Sequence, residues 1–387
     1  MSGKPLLTTA ALAVLAVGAY LAIADLPRRN GLGDKLNELQ NLPGWPLPDA
    51  LDQPGLTKFT GYASIDHILA VLVRFFYPCV NGEHPTLSLL SVLFCGQVLS
   101  LHTVLIFEGL RRGNKNTVLW PSSVWAQIYQ FIPVGLIAPV WSIVQLWKSP
   151  VSRLAAQPAA QKAELVTMDA AKLSVYPFSL IMGFIVPTAL VGWPDLLGFG
   201  TRQIVIALWQ FFPFWVALWQ FDIMVFVSAY DLVPPTATSA GNPRYANRAY
   251  AAILALTAAT HLTTLAYIIF PEQLHGLFPG LDVSSITVAG ALIPGPVSGP
   301  VQIKHLAEGV LTLLQYDMYF STGSLLLWSL YQAYSLENDV SAALSAAVKS
   351  VYRTVLVGPA GAALWNIWDR DTRARKVAAA VDPKKNE

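Results

Sequence analysis

The chain has 387 residues, of which 54% are hydrophobic and only 12% charged, with a mean hydropathy of +0.48; soluble domains carry roughly a quarter charged residues. That composition excludes a large water-exposed catalytic domain and points to a polytopic helical bundle in a bilayer. The 25 basic and 23 acidic residues nearly cancel. No basic block outside the C-terminal tail could neutralise phosphates, which excludes nucleic acid as a partner.

In chain order, the first apolar run, residues 5–24, is longer than the ~7–15 residues of a signal-peptide core. It is expected to be an uncleaved anchor, although Ala22-Ile23-Ala24 before Asp25 has the form of a signal-peptidase site. Residues 25–60 hold Pro27, Pro43, Pro46, Pro48 and Pro54 among mixed charges and read as an irregular linker on the membrane surface. The segment 61–80 is apolar but carries Asp66, His67 and Arg74; it reads as a polar-marked span, with an interfacial helix as the alternative. Clearer spans are predicted at 87–107, 121–147, 173–192, 203–228, 249–270, 308–334 and 343–368. The fold expected is all-α, a transmembrane bundle of about eight (seven to nine) spans over residues 61–370, followed by a basic polar tail, 371–387. If 61–80 spans, the excess of Lys and Arg falls on the side of that tail and makes the C-terminus cytosolic. Pro294, Pro296 and Pro300 mark a stiff connection in 271–307. Cys79 and Cys95, the only cysteines, lie in apolar runs and are too few for a disulfide framework. With no C-x-x-C or H-E-x-x-H spacing either, neither a metal nor a cofactor is expected.

An ionisable group near the bilayer centre costs ~2.5–3.5 kcal/mol on insertion scales, so each one inside a span is a functional candidate until a partner explains it. Asp222 lies deep in 203–228, and helical spacing puts Phe211 and Trp215 on its face. Asp317 has Phe320, Ser321 and Ser324 on its side of the helix, with Tyr316 and Tyr319 flanking. Glu108 closes 87–107 with Val104, Leu101 and Gln97 on its face; pairing with Arg111 or Arg112 is the structural alternative. Asp66 and Arg74 are two turns apart on one face, where mutual pairing is the simpler explanation. His102 and His261, each alone in an apolar span, read as interhelical hydrogen-bond partners.

Aromatic faces stabilise carbocations, and a carboxylic acid removed from water can stay protonated and act as a general acid. A buried acid beside aromatics therefore suits proton-initiated cyclisation of a prenyl chain. The D-D-x-x-D cluster that holds magnesium pyrophosphate and the D-x-D-D motif of soluble protonating cyclases are both missing.

Three stretches, IDHILAVLVRFFYPCVNGEHPTLSLLSVLFCGQ (65–97), FEGLRRGN (107–114) and LLQYDMYFSTGSLLLW (313–328), resemble the fungal membrane-bound terpene cyclases of the ascofuranone-pathway type. The shared features fall at Phe75, Phe76, Tyr77, Pro78, Gly82, Pro85, Leu87, Ser88 and Leu89, and the likeness covers roughly residues 60 to 370. The resemblance implies a terpene cyclase of the endoplasmic reticulum membrane, acting on epoxidised prenyl chains of meroterpenoid or indole-diterpene intermediates. Asp317 and Asp222 are then the candidates for initiating acid and counterion, with Glu108 third. The apolar tail would lie among Phe211, Trp215 and Phe320 and the aromatic or polyketide head near the Glu108 or Asp66 end, with Tyr316 and Gln97 as further substrate-binding candidates. The substrate would arrive through the bilayer, from a membrane prenyltransferase and an epoxidising monooxygenase. A non-catalytic pathway scaffold and a proton-coupled transporter are the alternatives.

Overall fold

The computed structural model describes residues 4–193, 196–234, 236–277, 282–298 and 302–381. Among them there is no strand, only two isolated bridge pairs, Leu47 with Ala50 and Asp169 with Thr238. A chain this apolar can satisfy its backbone within lipid only by helices or a closed barrel. Among the described residues six helices are long and apolar enough to cross a membrane: Pro5–Arg29, Pro85–Leu110, Ala170–Gly192, Phe212–Ala229, Pro243–Ile269 and Val340–Val381. The Leu306–Ser335 helix, 30 residues long, is less apolar because it turns Gln315, Asp317, Ser321 and Gln332 inward, all of them buried. It packs against the helices Pro85–Leu110, Val134–Lys148 and Val340–Val381.

Several predicted elements differ in detail. Residues 25–60 are not irregular throughout, since Leu32–Asn41 is a helix. The prolines cluster on either side of it, and Leu32, Leu36 and Leu39 recur at helical spacing, with Leu32 and Leu39 buried. The polar-marked segment forms the helix Ala63–Phe76, whose 14 residues reach ~21 Å, against a hydrocarbon core of ~30 Å. Asp66 and Arg74 do not pair. Asp66 accepts backbone N–H bonds from Phe59, Thr60 and Gly61, while Arg74 donates to the carbonyls of Leu56, Ala70 and Trp45 and lies 4.1 Å over the Trp45 ring. Both residues therefore fasten the linker to the bundle.

Three predicted spans are broken. Residues 121–147 form Ser122–Phe131 and Val134–Lys148, separated at Ile132 and Pro133. Residues 203–228 form Phe199–Trp209 and Phe212–Ala229, separated at Gln210 and Phe211. The third break is in Val340–Val381, where Gly358 has φ 70° and ψ 172°. Arg353 reaches Asn366 at 2.8 Å and Asp369 at 2.7 Å. Thirteen to sixteen residues of straight helix would separate these groups by ~20–24 Å. The helix thus doubles back at Gly358-Pro359 into an antiparallel hairpin. The predicted tail is helical as far as Val381, and its first residue, Asp371, is fully buried; Pro300 and residues 382–387 lie outside the described residues.

Candidate active site

The helix breaks shape the interior. Pro133 cannot donate a backbone hydrogen bond and ends the preceding helix. The next helix begins at Val134, so the backbone N–H groups of its first turn have no helical acceptor. Gly135 gives its N–H to Asp317 Oδ1. A Cβ at Gly135 would lie 2.9 Å from that oxygen and 2.7 Å from Ile23 Cδ1, so only glycine lets the two helices meet here.

Asp317 faces a largely apolar cavity of about 240 Å³. Its walls include Phe76, Phe94, Tyr129, Phe184, Trp209 and Phe212, and Asp317 is the only carboxylate among the described lining residues. No Lys, Arg or His pairs with it among the described residues. The aromatic walls lock one another: Phe184 and Phe212 centroids are 4.5 Å apart, and Phe76 meets Trp209 edge-on at 5.5 Å. Such pairs hold rings at fixed angles. Behind this wall, Leu47 and Phe59 of the surface linker pack into the cluster containing Val191 and Ile206, two of the lining residues. Asp49, with His84 Nε2 at 2.9 Å from its Oδ2, ties the linker down; the His84 hydrogen bond holds the Asp49 carboxyl below the usual carboxylate range against its desolvation.

The other expected site residues are placed elsewhere. Asp222 is exposed on the Phe212–Ala229 helix and does not line the cavity. Phe211 caps that helix and packs on Phe131, and the Trp215 indole donates to the Leu208 carbonyl. The break at Gln210 and Phe211 shifts the helical phase, so Trp209 and Phe212 face the cavity in their place. Tyr316 donates to the Gly295 carbonyl, and Phe320 stacks on Tyr316 beneath Gly18 of the first helix. Gln97 closes the Gly358 hairpin: its Nε2 donates to the Val357 carbonyl at 3.3 Å and its Oε1 accepts from Ala360 N at 3.1 Å.

Glu108 is buried in a separate, charge-balanced network. Its Oε1 accepts from Arg111 Nε at 2.7 Å and Arg370 Nη2 at 2.8 Å, and its Oε2 from Gln145 at 3.1 Å. Asp371 accepts from Arg111, Arg370 and Tyr250, and Gln332 from Arg370. Two acids and two guanidinium groups, all fully buried, therefore satisfy each other, which leaves Glu108 no free oxygen for a substrate. Reading the sequence finds Arg111, one turn from Glu108. It misses Arg370 and Asp371, which lie some 260 positions away and look like the start of a solvated tail.

A sequence profile described as the CtvD domain matches residues 8–374. The chain is 27% identical to terpene cyclase ctvD of Aspergillus terreus over 82% of its own length and 86% of that protein's. It is 27% identical to terpene cyclase ascI of Acremonium egyptiacum, covering 81% and 79%, and 26% identical to terpene cyclase janA of Penicillium janthinellum, covering 83% and 82%. No solved structure matches. The three relatives are each named terpene cyclases, the profile takes in every element that builds the cavity and the buried ion network, and the chain belongs to the CtvD domain family.

Proposed function

We propose that this terpene cyclase is embedded in the membrane and opens a metal-independent cascade with Asp317, which protonates the epoxide or alkene at the end of a prenyl chain. One observation carries the reading: among the described residues a single carboxylate faces a cavity whose walls are otherwise mainly aliphatic and aromatic. Protonation creates a cation that the adjacent aromatic faces stabilise by ~0.5–2 kcal/mol each, while the mainly apolar walls offer few groups that could capture it early. One carboxylate cannot form the cage that magnesium pyrophosphate needs, which favours protonation over ionisation of a diphosphate. The neutral, lipid-like substrate enters from the bilayer, in keeping with six helices suited to spanning it. Asp222, exposed on its helix, has no part in this scheme, and Glu108 holds the bundle together.

The test is a panel of farnesylated phenols, with and without a terminal epoxide, given to microsomes that carry the protein. Wild type should yield a cyclised isomer of unchanged mass. Asp317→Asn, which cannot release a proton to the substrate, should lose ~10²–10⁴-fold in turnover. Normal activity of Asp317→Asn in folded protein would remove Asp317 from the initiating step.

A further inference from the structure

Cyclisation that begins by gaining a proton must end by losing one, and this second step needs a base on the same cavity. Most polar groups on the wall are already occupied: Ser91 donates to the Leu87 carbonyl, Thr188 to the Phe184 carbonyl, and the Gln130 amide to Gln210. Besides Asp317 and the Cys79 and Cys95 thiols, whose neutral sulfur is only a weak acceptor, this leaves Tyr129. Its hydroxyl is 2.7 Å from His102 Nδ1. His102 is fully buried, and its Nε2 has no hydrogen-bond partner among the described residues. On the Pro85–Leu110 helix, His102 continues the stripe of Ser91, Cys95 and Val98, which line the cavity. Its ring centroid is 5.4 Å from that of Phe212, another lining residue. An imidazole with one nitrogen on a wall phenol and the other unpartnered is placed to accept that phenol's proton.

Building on the role given to Asp317 above, we propose that Tyr129 and His102 together take up the proton that ends the cascade. Neutral His102 holds its hydrogen on Nε2, so that the Nδ1 lone pair accepts the Tyr129 O–H. When the last carbocation forms, a C–H bond next to the cationic carbon breaks and its electron pair becomes the new C=C bond. The released proton bonds to Tyr129 oxygen as the original phenolic proton passes to His102 Nδ1. The imidazolium then returns a proton through Tyr129 to the Asp317 carboxylate, restoring both groups. Substrate and product keep the same formula. Tyr129 is thus a catalytic residue, and His102 acts through it.

The experiment uses whichever farnesylated phenol of the panel the wild type cyclises. It measures substrate consumed and, separately, product composition for wild type, Asp317→Asn, Tyr129→Phe and His102→Gln. Tyr129→Phe removes one oxygen and keeps the ring on the wall, and product composition is a ratio that does not depend on how much protein folds. Both variants should consume substrate more slowly than wild type, because Asp317 must then recover its proton from the medium, with the single product replaced by a mixture of alkene isomers and a water-captured alcohol 18 Da heavier. Wild-type composition from both variants would overturn the proposal. So would folded variants that consume no substrate, because that places the pair before initiation. Activity in Asp317→Asn would instead overturn the assignment of the initiating acid and leave the product ratios to decide the terminating base. If the wild type cyclises no member of the panel, both readings fall.

Discussion

Gly135 shows how closely the acid is held. The N–H of this residue reaches Asp317, and a methyl group there would press on both Asp317 Oδ1 and Ile23. Gly135→Ala must therefore move the carboxylate or the helix that carries it, at a cost of ~1–3 kcal/mol for overpacking. Turnover should fall at least about tenfold while most of the protein still elutes as a folded species in detergent, because a misplaced acid loses more in rate than the bundle loses in stability. Unchanged turnover would show that the contact does not position the acid. Asp317 is legible in the sequence because an ionisable residue in an apolar run needs a reason. Asp222 looks the same by that criterion, yet it lies on an exposed helix face. Composition and spacing report which residues share a face, not which face points inward. Tyr129 and His102 are harder still to read, for a phenol and an imidazole become a pair only when two helices bring positions 102 and 129 within 2.7 Å.

At the scale of elements, the helices were legible and their interruptions were not. Apolar runs revealed every described α-helix longer than ten residues, whereas Pro133, Pro213 and Pro359 lie within runs hydrophobic enough to read as unbroken. Proline in a membrane helix is compatible with either a kink or a full break, since neighbouring helices can satisfy the freed backbone groups. At the Gly358 hairpin the satisfying group is the Gln97 side chain, and a Cβ on Gly358 would lie only 2.1 Å from its Nε2. The φ and ψ of Gly358 fall in a region open almost only to glycine, where another residue costs ~1–3 kcal/mol. Gly358→Ala should therefore lower the thermal midpoint in detergent markedly. Adding Gln97→Ala should fall short of full recovery, because it relieves the clash but leaves the Val357 carbonyl and the Ala360 N–H without their partner. Full recovery in the double variant would mean that the backbone conformation carries no cost, and no loss in the single variant would mean that the hairpin does not turn at this residue.

For the whole molecule, the N-terminal helix is packed into the bundle along one face. Leu12, Ala19, Ala22 and Ile23 are buried, and the last three pack with Leu136, Leu313, Tyr316 and Phe320. Gly18 lies so close to Phe320 that a Cβ would be 2.8 Å from its ring. Ile23 stands behind Gly135, whose N–H holds Asp317. Cutting after Ala24 would strip this packing from the Leu306–Ser335 and Val134–Lys148 helices and expose the back of the acid's binding turn. At ~25 cal/mol per Å² of apolar surface, the loss of even one fully packed face amounts to several kcal/mol, which a marginally stable bundle cannot absorb. An epitope placed before residue 5 should therefore remain on the mature protein. A form lacking residues 1–24 should lose cyclase activity even when it accumulates in the membrane, and the separately expressed segment should restore part of it if the two pieces reassemble. Release of the epitope from an active enzyme, seen as a shift in mass on a denaturing gel, would show that the packed helix is dispensable.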